Sequence, residues 1–366
     1  MRLVPVECLK NNSVLAKNIY NYDGEILIKS GIALTDSLIN KLRSLHISSA
    51  YIIDEYSLYE VEDIIKPELI CKSIHTIKEV FSDIERVCIR YDNNKLTISE
   101  IDDKQLEYFN SINQIAQNII NSIANNNNVI FSLVDLKNMD IYTYSHSLNV
   151  AIISLTLGIA LNMNEQDLTS LCIGALVHDI GKAFIPKSIL LKPGKLTKKE
   201  FETVKKHSEL GYEFLRDNPY FNISSKKIVL EHHEHYDGNG YPYKKSGKDI
   251  SRFARIVCIA DVYDALTSNR AYKRALIPTD SLEYLMSNSG TLFDPELLTI
   301  FCRIAIPFPH GTIVDLSNGD MAQVEKTLPN YPLRPIVKII KSNEKGNIGK
   351  TLDLINNPSI VIANMK

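Results

Sequence analysis

Apolar positions recur along this chain with several rhythms, and each predicts different structure. Residues 15–29, LAKNIYNYDGEILIK, hold two short strand-like runs around Asp23-Gly24, a hairpin signal. In ALTDSLINKLRSLHI, Leu38, Ile39, Leu42 and Leu45 repeat at helical spacing behind a cap at Thr35 or Asp36. AYIIDEY reads as a returning strand, so residues 1–60 form a small α/β unit. From Pro67 to 122 the pattern is helical, in two segments broken at YDNNKLT, with Ile70, Ile74, Ile77, Val80 and Phe81 on one face. That face is suited to packing on the following helices or to pairing across a homodimer. The Asn125–Asn128 run is a turn or linker.

NVAIISLTLGIALN and DLTSLCIGALVHD are apolar almost all round, as buried helices are. LTKKEFETVKKHSELGYEFL is amphipathic, with Thr197 as cap and His207, Phe201 and Val204 toward the inner face. After residue 303 the texture changes: GTIVDLSNGDMAQV is a hairpin around Asn318-Gly319, and RPIVKIIKS and PSIVIANMK are strands. The expected architecture is multidomain and mainly α: an N-terminal accessory region over 1–128, with its α/β unit (1–60) and helices (67–122), a helical domain over 129–303, and a β-rich module over 304–366.

Composition narrows this picture. With 366 residues, 45% hydrophobic, and a net charge of -2, the chain has ample core and is no basic binder of nucleic-acid polymers. No stretch approaches the roughly 18 apolar residues of a membrane span, and MRLVPVECLKNN lacks the apolar centre of a signal peptide. Cys8, Cys71, Cys88, Cys172, Cys258 and Cys302 are scattered without a C-x-x-C pair, which suits free thiols in a reducing compartment. A cytoplasmic location is expected.

The candidate chemistry lies between residues 146 and 261: His146, the pair His178-Asp179 followed by Gly181-Lys182, His207, the run His232-His233-Glu234 leading into Asp237-Gly-Asn-Gly-Tyr241-Pro242, and Asp261. Five of the chain's 9 histidines fall in this set. Imidazoles mixed with carboxylates suit Zn, Mn or Fe rather than Mg or Ca. His146, His178, Asp179, His207, His232, His233 and Asp261 exceed what one tetrahedral ion takes, so two ions sharing a carboxylate fit better. Two cations about 3.5–4 Å apart activate a shared water and clamp phosphoryl oxygens, which points to phosphodiester hydrolysis. The apolar run before Asp261 marks that carboxylate as buried, and a buried carboxylate needs a cation. In the glycine turn, backbone free to take φ > 0 can approach a ligand closely. Asp264 shares a helical face with Asp261, able to orient a ligand or meet a nucleotide, and Glu234 is expected to orient a ligand histidine.

The ordered blocks YTYSHSLNV, HDIGK, IPKSILLKPGKL, KKH, HHEHYDGNGYP and RIVCIADVYDALTSNRAYK closely resemble the HD-GYP family of bacterial cyclic di-GMP phosphodiesterases, within the HD superfamily of metal-dependent phosphohydrolases. The resemblance covers residues 130–303 and implies an all-helical HD-type catalytic domain. It implies that His146, His178, Asp179 and Asp261 hold a first ion, that Asp179 bridges, and that His207, His232 and His233 hold a second, with Fe or Mn as the metals. A third ion, found in part of the family, would need a carboxylate where this chain has Tyr142. By the same resemblance Asp179 and Lys182 serve catalysis, with Lys182 on the scissile phosphate. Arg270 and Lys273 would bind the other phosphates. Tyr241 would wall a guanine or pack against its own loop, and Asp264 would meet the nucleotide or orient a ligand. The implied activity is hydrolysis of cyclic di-GMP to pGpG or GMP. The alternatives are a weakly catalytic sensor and an enzyme for another cyclic dinucleotide such as cyclic GMP-AMP.

Overall fold

The computed structural model describes residues 1–20, 25–45, 47, 49–57, 65–91, 103–124, 142–268, 276, 278–328 and 330–366, with side chains omitted at 85–91, 103–108, 124, 142–144 and 345. These residues divide into two compact units. One joins residues 1–57 to Phe301–Lys366, and the other runs from residue 65 to Ile300.

In the first unit, β1 (Arg2–Pro5), β2 (Val14–Leu15) and β5 (Ser49–Ile53) form an antiparallel sheet in the order β1-β5-β2. The predicted hairpin is β3 (Ile19–Tyr20) with β4 (Ile26–Ile28), and its Asp23-Gly24 turn lies outside the described residues. Helix α1 (Asp36–Ser44) starts at Thr35, whose hydroxyl accepts from the Leu38 amide, and buries Ile39 and Leu42. The C-terminal strands β6 (Ile313–Leu316), β7 (Met321–Lys326), β8 (Ile336–Lys341), β9 (Thr351–Asp353) and β10 (Ile362–Met365) form an antiparallel sheet in the order β10-β6-β7-β8-β9. Gln323 Nε2 donates to the Tyr56 carbonyl at 2.9 Å and Arg2 Nη1 to the Lys366 carbonyl at 2.7 Å. The two chain ends therefore share one unit.

The second unit is helical: α2 (Pro67–Tyr91), α3 (Asp103–Ala124), α4 (Tyr142–Ala160), α5 (Glu165–Leu176), α6 (Lys187–Leu190), α7 (Lys198–Lys205), α8 (His207–Leu215), α9 (Ile223–Glu231), α10 (Arg252–Thr267) and α11 (Pro278–Ser287), with α12 (Pro295–Ile304) beginning in it. Among these, α4 buries polar and apolar residues on every side, from His146 and Asn149 to Ile153 and Leu157. Asn164 caps α5 by accepting from the Asp167 amide. Thr197 and Glu200 form a capping box on α7.

This division differs from the one expected from sequence. Ile74, Ile77, Val80 and Ile84 of α2 are buried and the helix packs on α4, while α3 packs on α5 and sets Phe109 edge-on to Phe221 at 5.0 Å. The helices expected in the accessory region thus pack into the helical unit. Among the described residues, Ile74, Ile77, Val80 and Ile84 pack inside the unit, the first of the two outcomes expected for that face. The amphipathic segment after Thr197 is two helices rather than one, broken at Lys206, where His207 Nδ1 takes the Val204 carbonyl. Phe201, expected inside, is 46% exposed because it belongs to the first of them.

Candidate metal centre

Five segments deliver the histidines and carboxylates. α4 carries His146, the turn after α5 carries His178 and Asp179, α8 opens with His207, His232 and His233 follow α9, and α10 carries Asp261. Close packing of backbone makes this convergence possible. A Cβ placed on Gly181 would lie 1.8 Å from the His207 carbonyl oxygen, so only glycine lets the turn after Asp179 rest against the start of α8. Gly240 plays the same part in the later loop, where a Cβ would meet the His235 amide at 2.2 Å.

Asp179 stands between two groups of imidazoles. Its Oδ1 is 3.4 Å from His207 Nε2 and 3.9 Å from His232 Nε2. Its Oδ2 is 3.4 Å from His178 Nε2 and 3.9 Å from His146 Nε2, and it is paired with Lys182 Nζ. Ligand atoms of Asp179, His207, His232 and His233 lie within 4.8 Å of one another, as do those of His146, His178 and Asp179, and those of His178, His232 and Asp261. All seven expected ligands fall in these sets, with Asp179 common to two.

The donor set fits divalent cations. His178, His207 and His232 each donate Nδ1–H to a main-chain carbonyl, which leaves Nε2 as a lone pair aimed inward. His178 Nε2 and Asp179 Oδ1 are buried without a hydrogen-bond partner. Unpaired atoms of this kind cost about 1–3 kcal/mol each, and a cation satisfies both.

Electrostatics agree with this arrangement. Burial, reinforced by neighbouring His178 and His207, pushes the His232 imidazole down to about 3. Burial likewise lowers His207 and His233, so these rings are neutral and ready to ligate. Burial also acts to lower His146, but the hydrogen bonds it donates to Asp261 and Asp264 outweigh it and raise the ring to about 10. Burial would raise the Asp179 carboxyl, yet Lys182 and the surrounding histidines hold it well below the usual range. A metal entering beside His146 therefore displaces a proton.

Other expected site residues fall in varied places. Tyr241 stacks on His233 with ring centroids 4.7 Å apart and planes 30° apart, so it forms a wall of the centre. Lys182 keeps 37% of its side chain exposed while paired with Asp179. Arg270 and Lys273 lie outside the described residues. Asp264, expected to orient a ligand or meet a nucleotide, is 1% exposed and bonded to His146 Nδ1, behind that candidate ligand. Glu234 does not orient a histidine. Its carboxylate accepts from the Tyr243 and Lys245 amides and so pins the loop after Tyr241.

Three residues were not singled out from sequence. Asn149 donates to Asp264 at 3.0 Å; its position three residues after His146 was the available signal. Glu231, 2% exposed, accepts from Lys245 Nζ and the Ser251 amide, both at 2.7 Å. Lys205 Nζ sits over the Tyr241 ring at 5.5 Å and over Phe201 at 4.9 Å. Among the described residues no helix is long and apolar enough to cross a membrane.

Residues 119–297 match the HD domain family, and residues 313–365 match a KOW domain associated with HD domain. The chain is 35% identical over 221 residues to the cyclic di-GMP phosphodiesterase PA4108 of Pseudomonas aeruginosa, covering 60% of this chain and 53% of that protein. It is 43% identical over 145 residues to the cyclic di-GMP phosphodiesterase response regulator RpfG of Xanthomonas campestris, covering 39% and 38%. Over 211 residues it is 34% identical to the 3'3'-cGAMP-specific phosphodiesterase 2 of Vibrio cholerae, covering 56% and 40%. The chain thus spans about half the length, or less, of these relatives. A solved HDG"Y"P protein from Bdellovibrio bacteriovorus superimposes with a TM-score of 0.51 at 18% identity, covering 82% of this chain and 97% of that one, a likeness of fold.

Proposed function

Residues 119–297 of this chain are an HD domain of the HD-GYP type, and from that premise we propose that the protein is a metal-dependent phosphodiesterase hydrolysing cyclic di-GMP to pGpG or GMP. The centre takes two divalent ions, Fe or Mn, one through His146, His178, Asp179 and Asp261 and the other through His207, His232, His233 and Asp179. Such ions, when bound, supply an activated water and neutralise charge on the phosphoryl oxygens.

The observation that carries this reading is Asp179, whose two oxygens face different groups of imidazole nitrogens while Oδ1 lacks a hydrogen-bond partner. The chain's own residues complete the site. Lys182, partly exposed beside Asp179, accompanies the scissile phosphate. Tyr241, stacked on His233, walls the opening and excludes water from one side. Arg270 and Lys273 are assigned to the remaining phosphates by their place after Asp261 in the sequence. The free thiols of Cys71, Cys172, Cys258 and Cys302 suit the reducing cytoplasm.

The test is hydrolysis by anaerobically purified protein reconstituted separately with Fe(II) and Mn(II), with metal content and products quantified together. About two metals per chain with pGpG or GMP formed is the expected result. Tight dinucleotide binding without product would replace the enzyme with a sensor. Cyclic GMP-AMP belongs in the same assay, because the Vibrio cholerae relative named for it matches over more than half of this chain.

A further inference from the structure

The ligand imidazoles are braced from behind in two chemically different ways. His178 turns Nδ1 to the Ala175 carbonyl at 2.8 Å, His207 to Val204 at 2.7 Å, and His232 to Val229 at 3.0 Å and Ile228 at 3.1 Å. His146 turns Nδ1 to a carboxylate, Asp264 Oδ2, at 2.7 Å. Asp264 is itself 1% exposed and held in place: its Oδ1 accepts from Asn149 Nδ2 at 3.0 Å, and Ser268 Oγ lies 3.4 Å from Oδ2. A carboxylate behind an imidazole fixes the tautomer and makes the inward nitrogen a stronger donor than a neutral carbonyl does. The difference falls on one side of Asp179 only, since His207 and His232 approach its other oxygen.

We propose that Asp264 makes the two metal positions inequivalent. It is a positioning residue that strengthens the position reached through His146, while the position reached through His207 and His232 relies on carbonyl-braced rings. The proposal rests on the paired-ion reading and adds which half of the pair loads more tightly. Asn149 acts through Asp264 by fixing its rotamer.

An amide at position 264 cannot reproduce the arrangement. His146 and Asn149 reach different oxygens of the carboxylate, so an amide would turn NH2 to one of them, and NH2 turned toward Nδ1 would select the tautomer whose inward nitrogen carries a proton.

The experiment is Mn(II) titration of the full-length, chelator-stripped protein, read by calorimetry and by the signal of free Mn(II) in electron paramagnetic resonance. Wild type, Asp264→Asn, Asn149→Ala, Ser268→Ala and His207→Ala are compared. Wild type is expected to bind in a tighter and a weaker step. Asp264→Asn should weaken the tighter step by roughly 10–100-fold, Asn149→Ala should weaken the same step by less, and His207→Ala should act on the other. Far-UV circular dichroism of each metal-free variant identifies any that fails to fold. The Asn149 and Ser268 variants then carry the test if the Asp264 variant does not fold. Equal weakening of both steps, or the same step lost in Asp264→Asn and His207→Ala, overturns the proposal. Two wild-type steps of equal affinity overturn it while leaving the paired-ion reading intact, whereas no metal uptake by wild type overturns that reading itself.

Discussion

The interior of the helical unit holds His146, His178, Asp179, His207, Glu231, His232, Glu234 and Asp264. The described interior of the β-rich unit is built mainly from Val4, Leu15, Leu34 and Leu42 in one cluster and Val314, Val324, Val337 and Leu354 in another; Asp320 is its one buried charged side chain among the described residues, and no described histidine is buried there. Burying an ionisable group costs free energy unless it is paired, whereas burying a methyl group is favourable. A unit that accepts the first cost repeatedly, in one place, has been selected for what the charges do there. The β-rich unit, whose buried carboxylate Asp320 is held by Asn318, shows an interior built mainly by apolar packing in the same chain.

The sharpest way to break this contrast is to remove the carboxylate on which the buried polar cluster converges. Asp179→Ala is expected to abolish turnover and metal uptake, because Asp179 belongs both to the group with His207, His232 and His233 and to the group with His146 and His178. Turnover and metal content are measured on the same preparation, and wild-type turnover in the variant would sink the assignment. The β-rich unit should answer the opposite way. Leu354 is fully buried among Val337 and Leu316, so Leu354→Ala should cost about 2–5 kcal/mol of that unit's stability in denaturant melts. Metal content should be unchanged. Loss of metal in that variant would show that the sheet supports the centre, and the contrast between the units would fail.

The two regions also differ in how legible they were from sequence. The candidate ligands could be picked out because metal chemistry demands particular side chains, and because His178-Asp179 and His232-His233 stand out as adjacent pairs. The helices were readable where apolar spacing is local, as in Ile74, Ile77 and Val80. What stayed hidden depends on contacts far apart in the chain. Nothing near Tyr56 signals Gln323, and nothing near Arg2 signals Lys366, so the joining of the two chain ends had no local mark. Asp264 was placed on the right face of its helix with two readings open, orienting a ligand or meeting a nucleotide, since spacing tells which residues share a face and not what lies opposite. Glu234 was misassigned for the same reason.

Proton linkage gives the subtlest test of the contrast, on metal-free protein. His232 has a folded value near 3 against an ordinary 6.5, from burial first and then from His178 and His207. The unfolded chain therefore binds its proton more readily, and the stability this ring contributes is present above about pH 6.5 and lost as pH falls toward 3. His207 and His233, lowered by burial, act in the same direction. His146 acts the other way: Asp261 and Asp264 raise it to about 10 against the effect of burial, so its contribution is complete below 6.5 and lost as pH rises through 10. Together they make the stability of the stripped helical unit peak near pH 6.5 and decline on both sides. The chain has no tryptophan, so far-UV circular dichroism in denaturant at a series of pH values is the suitable probe. The same peak in a Leu354→Ala background would place it in the helical unit. A stability that climbs steadily from pH 6 to 9 would mean that His146 is not held charged between Asp261 and Asp264, and the electrostatic half of the comparison would have to be redrawn.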